Sequence, residues 1–222
     1  MTNSAIAYNY PSISKILSAK SQDPSILADI YDPNTNIAIW KHKLEAKITE
    51  EIAVIQKLSR LNLVSSVTPD SIKEQLINHS DIFGQTPQFT QHLATVVEMF
   101  CTLFDLPRAG MRLNLLTKAM CPKFHVDHIP CRLVSTFSGH ATEWLEHSKV
   151  NRAKLGAGSH GLTDEQSGIY RHHSDIQQLD VGDVALLKGD GWQGNEGAGL
   201  VHRSPTVRTN ECRLLLTLDF ID

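Results

Sequence analysis

The stretch CPKFHVDHIPCRLVSTF, residues 121–137, decides the fold class, because polar and apolar side chains alternate along it and a proline divides it. Alternation with a period of two is typical of β-strands, in which successive side chains point to opposite faces. The same period continues from Pro107 to the end of the chain, with turn-forming residues between the segments. It predicts about seven short strands: MRLNLL, KFHVDH, CRLVSTF, ATEWL, DVALLKG, GLVHR and CRLLLTLDF.

The region before Pro107 has a helical period instead. Apolar residues recur at steps of three and four over residues 42–61 and again over residues 87–105, with polar residues on the opposite face. A shorter helix is predicted over residues 68–80. The apolar stripes of these helices need a sheet to cover, so the sequence predicts an α+β fold with helices on one face of an antiparallel barrel or sandwich.

The chain length favours a single domain over residues 1–222. Within it, residues 1–106 are predicted to form a mainly helical support, and residues 107–222 are predicted to form the β core that carries the site. NIAIW (36–40) has the alternation of one short strand, while residues 1–35 are rich in turn residues and predicted to be irregular.

Composition restricts the possible partners. With 41% hydrophobic residues, 20% charged residues and a formal net charge of -3, the chain gives no electrostatic reason to bind nucleic acid or an anionic membrane surface. No segment has the roughly 18 consecutive apolar residues that cross a bilayer. The N-terminal residues lack the basic and apolar pattern of an export signal, so we expect a cytoplasmic protein with reduced cysteines.

A candidate metal site begins in the KFHVDH segment. His125 and Asp127 are two positions apart, so a strand presents an imidazole and a carboxylate on one face. A third ligand must come from a neighbouring strand, and GLVHR supplies His202. Two histidines and one carboxylate form the facial triad of non-haem Fe(II) sites, which leaves coordination positions open.

A candidate anion-binding residue follows in CRLLLTLDF, where Arg213, Leu215 and Thr217 share one face. A guanidinium on an inward, apolar face requires an anionic partner, and a carboxylate matches its fork. Arg208 lies in the turn before this strand and is the alternative residue for the same role.

The order of these residues carries a resemblance. A His-x-Asp pair, a distant His and an Arg eleven residues after it, each on a strand, resemble the Fe(II)/2-oxoglutarate-dependent dioxygenases of the double-stranded β-helix fold, a jelly-roll or cupin-like barrel. The resemblance implies that His125, Asp127 and His202 ligate Fe(II) as the catalytic centre. It also implies that Arg213, or Arg208 in its place, holds the distal carboxylate of 2-oxoglutarate.

The wider sequence is most similar to an uncharacterised bacterial family known only as a domain of unknown function, through KFHVDHIPCRLVSTFSGHATEWL and VGDVALLKGDGWQGNEGAGLVHRSP. The superfamily resemblance implies oxidative decarboxylation of 2-oxoglutarate coupled to hydroxylation of an organic substrate. No basic stripe with interleaved aromatic residues indicates a nucleic-acid substrate. We therefore expect a small molecule or a protein side chain.

Two alternatives stand beside this interpretation. Cys121, His125, His128 and Cys131 offer the donor types of a zinc site, but a strand sends the two histidines to opposite faces. We expect His128 to lie outside the metal site, as a substrate contact or a surface residue. The second alternative is a non-catalytic barrel that binds zinc or another divalent ion for sensing, storage or partner contact. Such a protein has no need for a buried Arg213.

The Gly-rich segment over residues 189–199 lacks the ending of a phosphate-binding loop. It is predicted to be a mobile loop at the mouth of the barrel, with Trp192 as a lid over the site. Glu143, in ATEWL, is a side chain that can reach the cavity, whereas Trp144 is expected to pack.

Overall fold

Two β-sheets form the centre of the protein in the computed structural model, which describes residues 16–221. The strands are β1 (Leu17–Ser21), β2 (Thr35–Trp40), β3 (Asn62–Val67), β4 (Ala109–Leu116), β5 (Cys131–Ser138), β6 (Glu143–Leu145), β7 (Ile176–Gln178), β8 (Val184–Lys188), β9 (Val201–Arg203) and β10 (Arg213–Asp219). The large sheet has the order β1-β2-β8-β5-β10-β4-β3, and the small sheet has the order β7-β6-β9. All pairings are antiparallel except that of β1 with β2.

From β4 onward the chain winds between the two sheets. It passes from β4 to a bridge at His125 on the small sheet, to β5, to β6 and β7, to β8, to β9 and finally to β10. This alternation wraps two antiparallel ribbons around one interior, which is the double-stranded β-helix. The predicted fold is therefore confirmed, and the strand order gives the barrel its two facing walls.

Helices cover the outer face of the large sheet, as predicted. They are α1 (Ala46–Ile55), α2 (Ile72–His79), α3 (Ile82–Gln85) and α4 (Pro87–Leu103). A further short helix, α5 (Asp164–Ser167), follows the small-sheet strand β6 in the chain. Buried residues such as Ile52 on α1 and Val97 on α4 pack in one core cluster with Leu133 and Leu216 of the sheet. No helix in the described part of the chain is both long and apolar enough to cross a membrane.

The N-terminal region contains more strand than the sequence predicted. Besides β2, which NIAIW predicted, it contributes β1 and β3 to the two edges of the large sheet. Both edge strands depend on long-range pairing, β1 with β2 and β3 with β4, which a local pattern does not reveal. The KFHVDH segment is also less regular than predicted, because it forms only an isolated bridge. Residues 1–15 of the expected irregular lead-in lie outside the described residues.

Candidate metal centre and cosubstrate cavity

His125, Asp127 and His202 lie together at one end of the barrel interior. His125 and His202 face each other across an antiparallel bridge, in which each backbone N–H donates to the other's carbonyl over 3.0 Å. The Nε2 atom of His125 is 3.8 Å from Oδ1 of Asp127, and the Nε2 atom of His202 is 3.6 Å from Oδ2. One ligand atom from each residue lies within 4.8 Å of the others, so the three form a cluster with the donors of a metal site.

Hydrogen bonds fix both imidazoles in the orientation that a metal requires. His125 Nδ1 lies 2.9 Å from the carbonyl oxygen of Lys123, and His202 Nδ1 lies 3.2 Å from that of Leu200. A carbonyl oxygen only accepts, so Nδ1 must carry the proton and Nε2 keeps its lone pair. Burial lowers the pKa of His202 to about 4 against the opposing charge of Asp127, which keeps this imidazole neutral near pH 7. Two imidazoles with free Nε2 atoms and one carboxylate are donors that fit Fe(II).

Arg132 holds the carboxylate of this cluster and was missed from the sequence. Its Nη1 donates to Oδ2 of Asp127 over 2.8 Å, while Nε and Nη2 donate to the two oxygens of Asp219 over 2.7 and 3.0 Å. Asp219 also accepts from Arg112. A signal was present in CRLVSTF, where alternation places Arg132 on the same face as Val134, toward the interior.

The Gly-rich segment holds the backbone of Asp127 in place through a hydrogen bond. The prediction that Trp192 in this segment forms a lid over the site was wrong. The backbone N–H of Asp190 donates to the carbonyl of Asp127 over 2.9 Å, and that of Gly189 donates to Pro130 over 2.9 Å. A Cβ on Gly189 would overlap the carbonyl oxygen of Ile129 and lie 2.6 Å from that of Asp127. Glycine is required here because two backbone segments approach too closely for a side chain.

Trp192 points away from the candidate site. Its ring packs 5.4 Å from Tyr31 and 6.1 Å from Phe104, and the ammonium of Lys188 lies 5.0 Å from its centre. These partners belong to the helix-covered side of the large sheet, so the aromatic side chain contributes to packing.

A cavity of about 270 Å³ opens from the histidines toward Arg213. Arg213 is 1% exposed, and its guanidinium donates to three hydroxyls, those of Ser204 (3.3 Å), Thr136 (3.1 Å) and Thr142 (2.8 Å). Its Nε has no partner, and no carboxylate in the described part of the chain pairs with it. Burial lowers the pKa of Arg213 to about 10, although Glu143 opposes this. A buried, unpaired positive charge beside a cavity is suited to an anionic ligand.

The remaining predicted residues lie elsewhere. Arg208 is exposed in the turn before β10, where its nearest carboxylate is Glu211 at 3.9 Å, and it does not line this cavity. Glu143 does not line the cavity either, because its carboxylate accepts from Arg203 over 2.7 Å. His128 is exposed, which agrees with one of its two expected placements, that of a surface residue.

The cysteine-containing zinc site is wrong for the described part of the chain. The four donors Cys121, His125, His128 and Cys131 do not come together, since His125, Asp127 and His202 form the only cluster of three or more such donors in residues 16–221. Cys131 is fully buried, and burial raises the pKa of its thiol, which disfavours the thiolate that binds zinc.

Solved structures with a similar chain path are distant in sequence. A dioxygenase for auxin oxidation from rice aligns over 93% of this chain and 83% of its own, with 12% identity and a TM-score of 0.49. The dioxygenase for auxin oxidation 1 from Arabidopsis thaliana, in complex with 2-oxoglutarate, aligns over 93% and 92%, with 8% identity and a TM-score of 0.48. HygX from Streptomyces hygroscopicus, with iron bound, aligns over 86% and 84%, with 12% identity and a TM-score of 0.42.

Comparison of the sequence with family models assigns the chain to a family more directly than the structural similarities do. A search of curated proteins finds no match. The family model described as "Protein of unknown function (DUF1826)" matches residues 21–219, which include every strand of the large sheet from β2 onward, the three clustered donor residues and Arg213. Because the match spans most of the sequence, the chain belongs to the DUF1826 family.

Proposed function

We propose that this protein is a non-haem Fe(II)/2-oxoglutarate-dependent oxygenase that hydroxylates a small molecule or a protein side chain. One observation carries the proposal. A cluster of two imidazoles and a carboxylate lies at one end of a cavity, and a buried arginine without a carboxylate partner lines the same cavity. A protein that only binds a metal ion gains nothing from burying Arg213, since the buried charge is unfavourable without an anion.

In this proposal His125, Asp127 and His202 hold Fe(II), which supplies the activation of dioxygen when 2-oxoglutarate is bound. Arg132 keeps Asp127 in place and satisfies the second carboxylate oxygen. Each histidine is fixed by its Nδ1 hydrogen bond, so little reorganisation is required when the ion binds.

Arg213 binds the distal carboxylate of 2-oxoglutarate. The hydroxyls of Thr136, Thr142 and Ser204 orient the guanidinium without neutralising it, which leaves its charge for the ligand. Leu215 is an apolar member of the cavity wall and limits the water that competes for the ion pair.

The decisive experiment measures metal and 2-oxoglutarate binding under anaerobic conditions, followed by succinate formation in air. We expect one Fe(II) per chain and a visible charge-transfer absorption on addition of 2-oxoglutarate, as forms when a keto acid chelates Fe(II). We also expect slow succinate production without substrate. Stoichiometric metal binding with neither 2-oxoglutarate binding nor succinate formation would support the non-catalytic metal-binding barrel instead.

A further inference from the structure

Four arginine side chains line the cavity of the candidate site, and they differ in how well their charge is neutralised. They are Arg112, Arg132, Arg203 and Arg213. Arg203 is fully compensated, because it donates to Glu143 over 2.7 Å and to the buried Asp164 over 2.8 Å. Arg213 binds 2-oxoglutarate in the proposed function, so the charges of the other two arginines require a separate account.

Arg112 and Arg132 share one carboxylate. Arg132 occupies both oxygens of Asp219 and also contacts Asp127, while Arg112 reaches Asp219 only through Nη1, over 2.5 Å. The charge of Asp127 belongs to the metal centre in the proposed function. Two guanidinium groups therefore share the single negative charge of Asp219, which leaves one positive charge in excess. The Nε and Nη2 atoms of Arg112 have no hydrogen-bond acceptor within residues 16–221.

Arg112 lies at the open end of the cavity, whereas Arg213 lies at the closed end. The side chain of Arg112 is 44% exposed, and Arg213 is 1% exposed. The register of β4 against β10 defines this wall, with Arg112 opposite Thr217 and Asn114 opposite Leu215. Asn114 is 7% exposed and lines the cavity, yet its side-chain amide makes no hydrogen bond with the described part of the chain. An amide that faces the cavity without a protein partner is suited to a polar ligand.

We propose that the substrate is a small molecule with a carboxylate or phosphate group, which Arg112 binds at the cavity mouth while Asn114 contacts a polar group deeper inside. This inference rests on the proposed function, because it assigns Asp127 to the metal and Arg213 to 2-oxoglutarate. The cavity of about 270 Å³ is below the usual range of ligand pockets and must also hold 2-oxoglutarate. Only a small group can enter it, and the free guanidinium nitrogens select an anionic one.

The test uses the full chain loaded with Zn(II), a diamagnetic substitute for Fe(II), and saturated with 2-oxoglutarate so that Arg213 is occupied. Binding of four probes is followed by ligand-observed NMR: benzoate with its neutral partner benzamide, and phenyl phosphate with its neutral partner phenol. We expect at least one anion to bind about tenfold more tightly than its neutral partner, the scale of a partly exposed charge-assisted contact. The two pairs distinguish a carboxylate from a phosphate.

Variants assign the preference to Arg112. We expect Arg112→Gln to abolish the preference for the anion, and Arg112→Lys to retain part of it, while Zn(II) and 2-oxoglutarate affinities stay near wild type. Arg108→Gln is the matched control, because it removes an exposed arginine four residues earlier that does not line the cavity. A wild-type protein that binds 2-oxoglutarate but neither anion, or a preference that survives in Arg112→Gln, refutes this inference alone. A wild-type protein that fails to bind 2-oxoglutarate refutes the proposed function and this inference with it.

Discussion

Replacing Arg213 by leucine is the most direct test of the proposed role of the cavity in binding 2-oxoglutarate. The lowering of the Arg213 pKa to about 10 corresponds to about 3 kcal/mol of unfavourable burial, at 1.36 kcal/mol per pKa unit. A bound carboxylate offsets this penalty, and leucine removes both the penalty and the attraction. We therefore expect Arg213→Leu to weaken 2-oxoglutarate binding by about 2–4 kcal/mol, or roughly 30- to 1,000-fold.

The same variant should leave Fe(II) binding nearly unchanged, because Arg213 donates only to hydroxyls and to none of the three ligands. Its thermal stability should stay close to wild type, since leucine is an apolar replacement for an unpaired buried charge. The assay is anaerobic titration of 2-oxoglutarate into Fe(II)-loaded protein, followed by the charge-transfer absorption and by calorimetry.

Arg208→Leu is the control, because this exposed arginine does not line the cavity. Near-wild-type affinity in Arg213→Leu would refute the reasoning, whatever Arg208→Leu does. A loss that appears in Arg208→Leu and not in Arg213→Leu would show that the turn before β10 moves into the cavity when 2-oxoglutarate binds.

Three further outcomes follow from the structure. Asp127→Ala should lower Fe(II) affinity by more than 100-fold, which exceeds the effect of losing a residue that contacts only a metal ligand. The circular dichroism spectrum should stay native. Retained stoichiometric iron would contradict the ligand assignment. Gly189→Ala should lower the melting temperature by about 3–10 °C and weaken metal binding, because its Cβ overlaps the carbonyl of Ile129, whereas Gly84→Ala has open space and should change neither. Burial lowers the pKa of His92 from 6.5 to about 4, so the unfolded chain binds more protons than the folded chain between these two pH values. The stability of the protein should therefore fall as the pH drops through that window. Melting curves of His92→Leu should show a shallower fall with pH, and an unchanged pH slope would refute this role of His92.

The local periodicity of apolar residues was sufficient to predict much of this fold. The change of period at Pro107 separated the helices from the barrel strands, because side-chain alternation is imposed by the strand backbone itself. The His-x-Asp pair was visible for the same reason. The edge strands β1 and β3 were not, since their short, partly polar segments acquire strand geometry only by pairing with β2 and β4.

The sequence by itself determined the residue types of the candidate site: two histidines, an aspartate and an inward arginine at strand spacing. The tertiary structure decided which arginine lies in the cavity, because only the register of β10 against β4 and β5 buries Arg213 and leaves Arg208 in solvent. It also revealed that Arg132 joins Asp127 to Asp219, which lies 87 residues further along the chain than Arg132. Charge compensation depends on distances between strands far apart in the chain, and no local pattern encodes those distances.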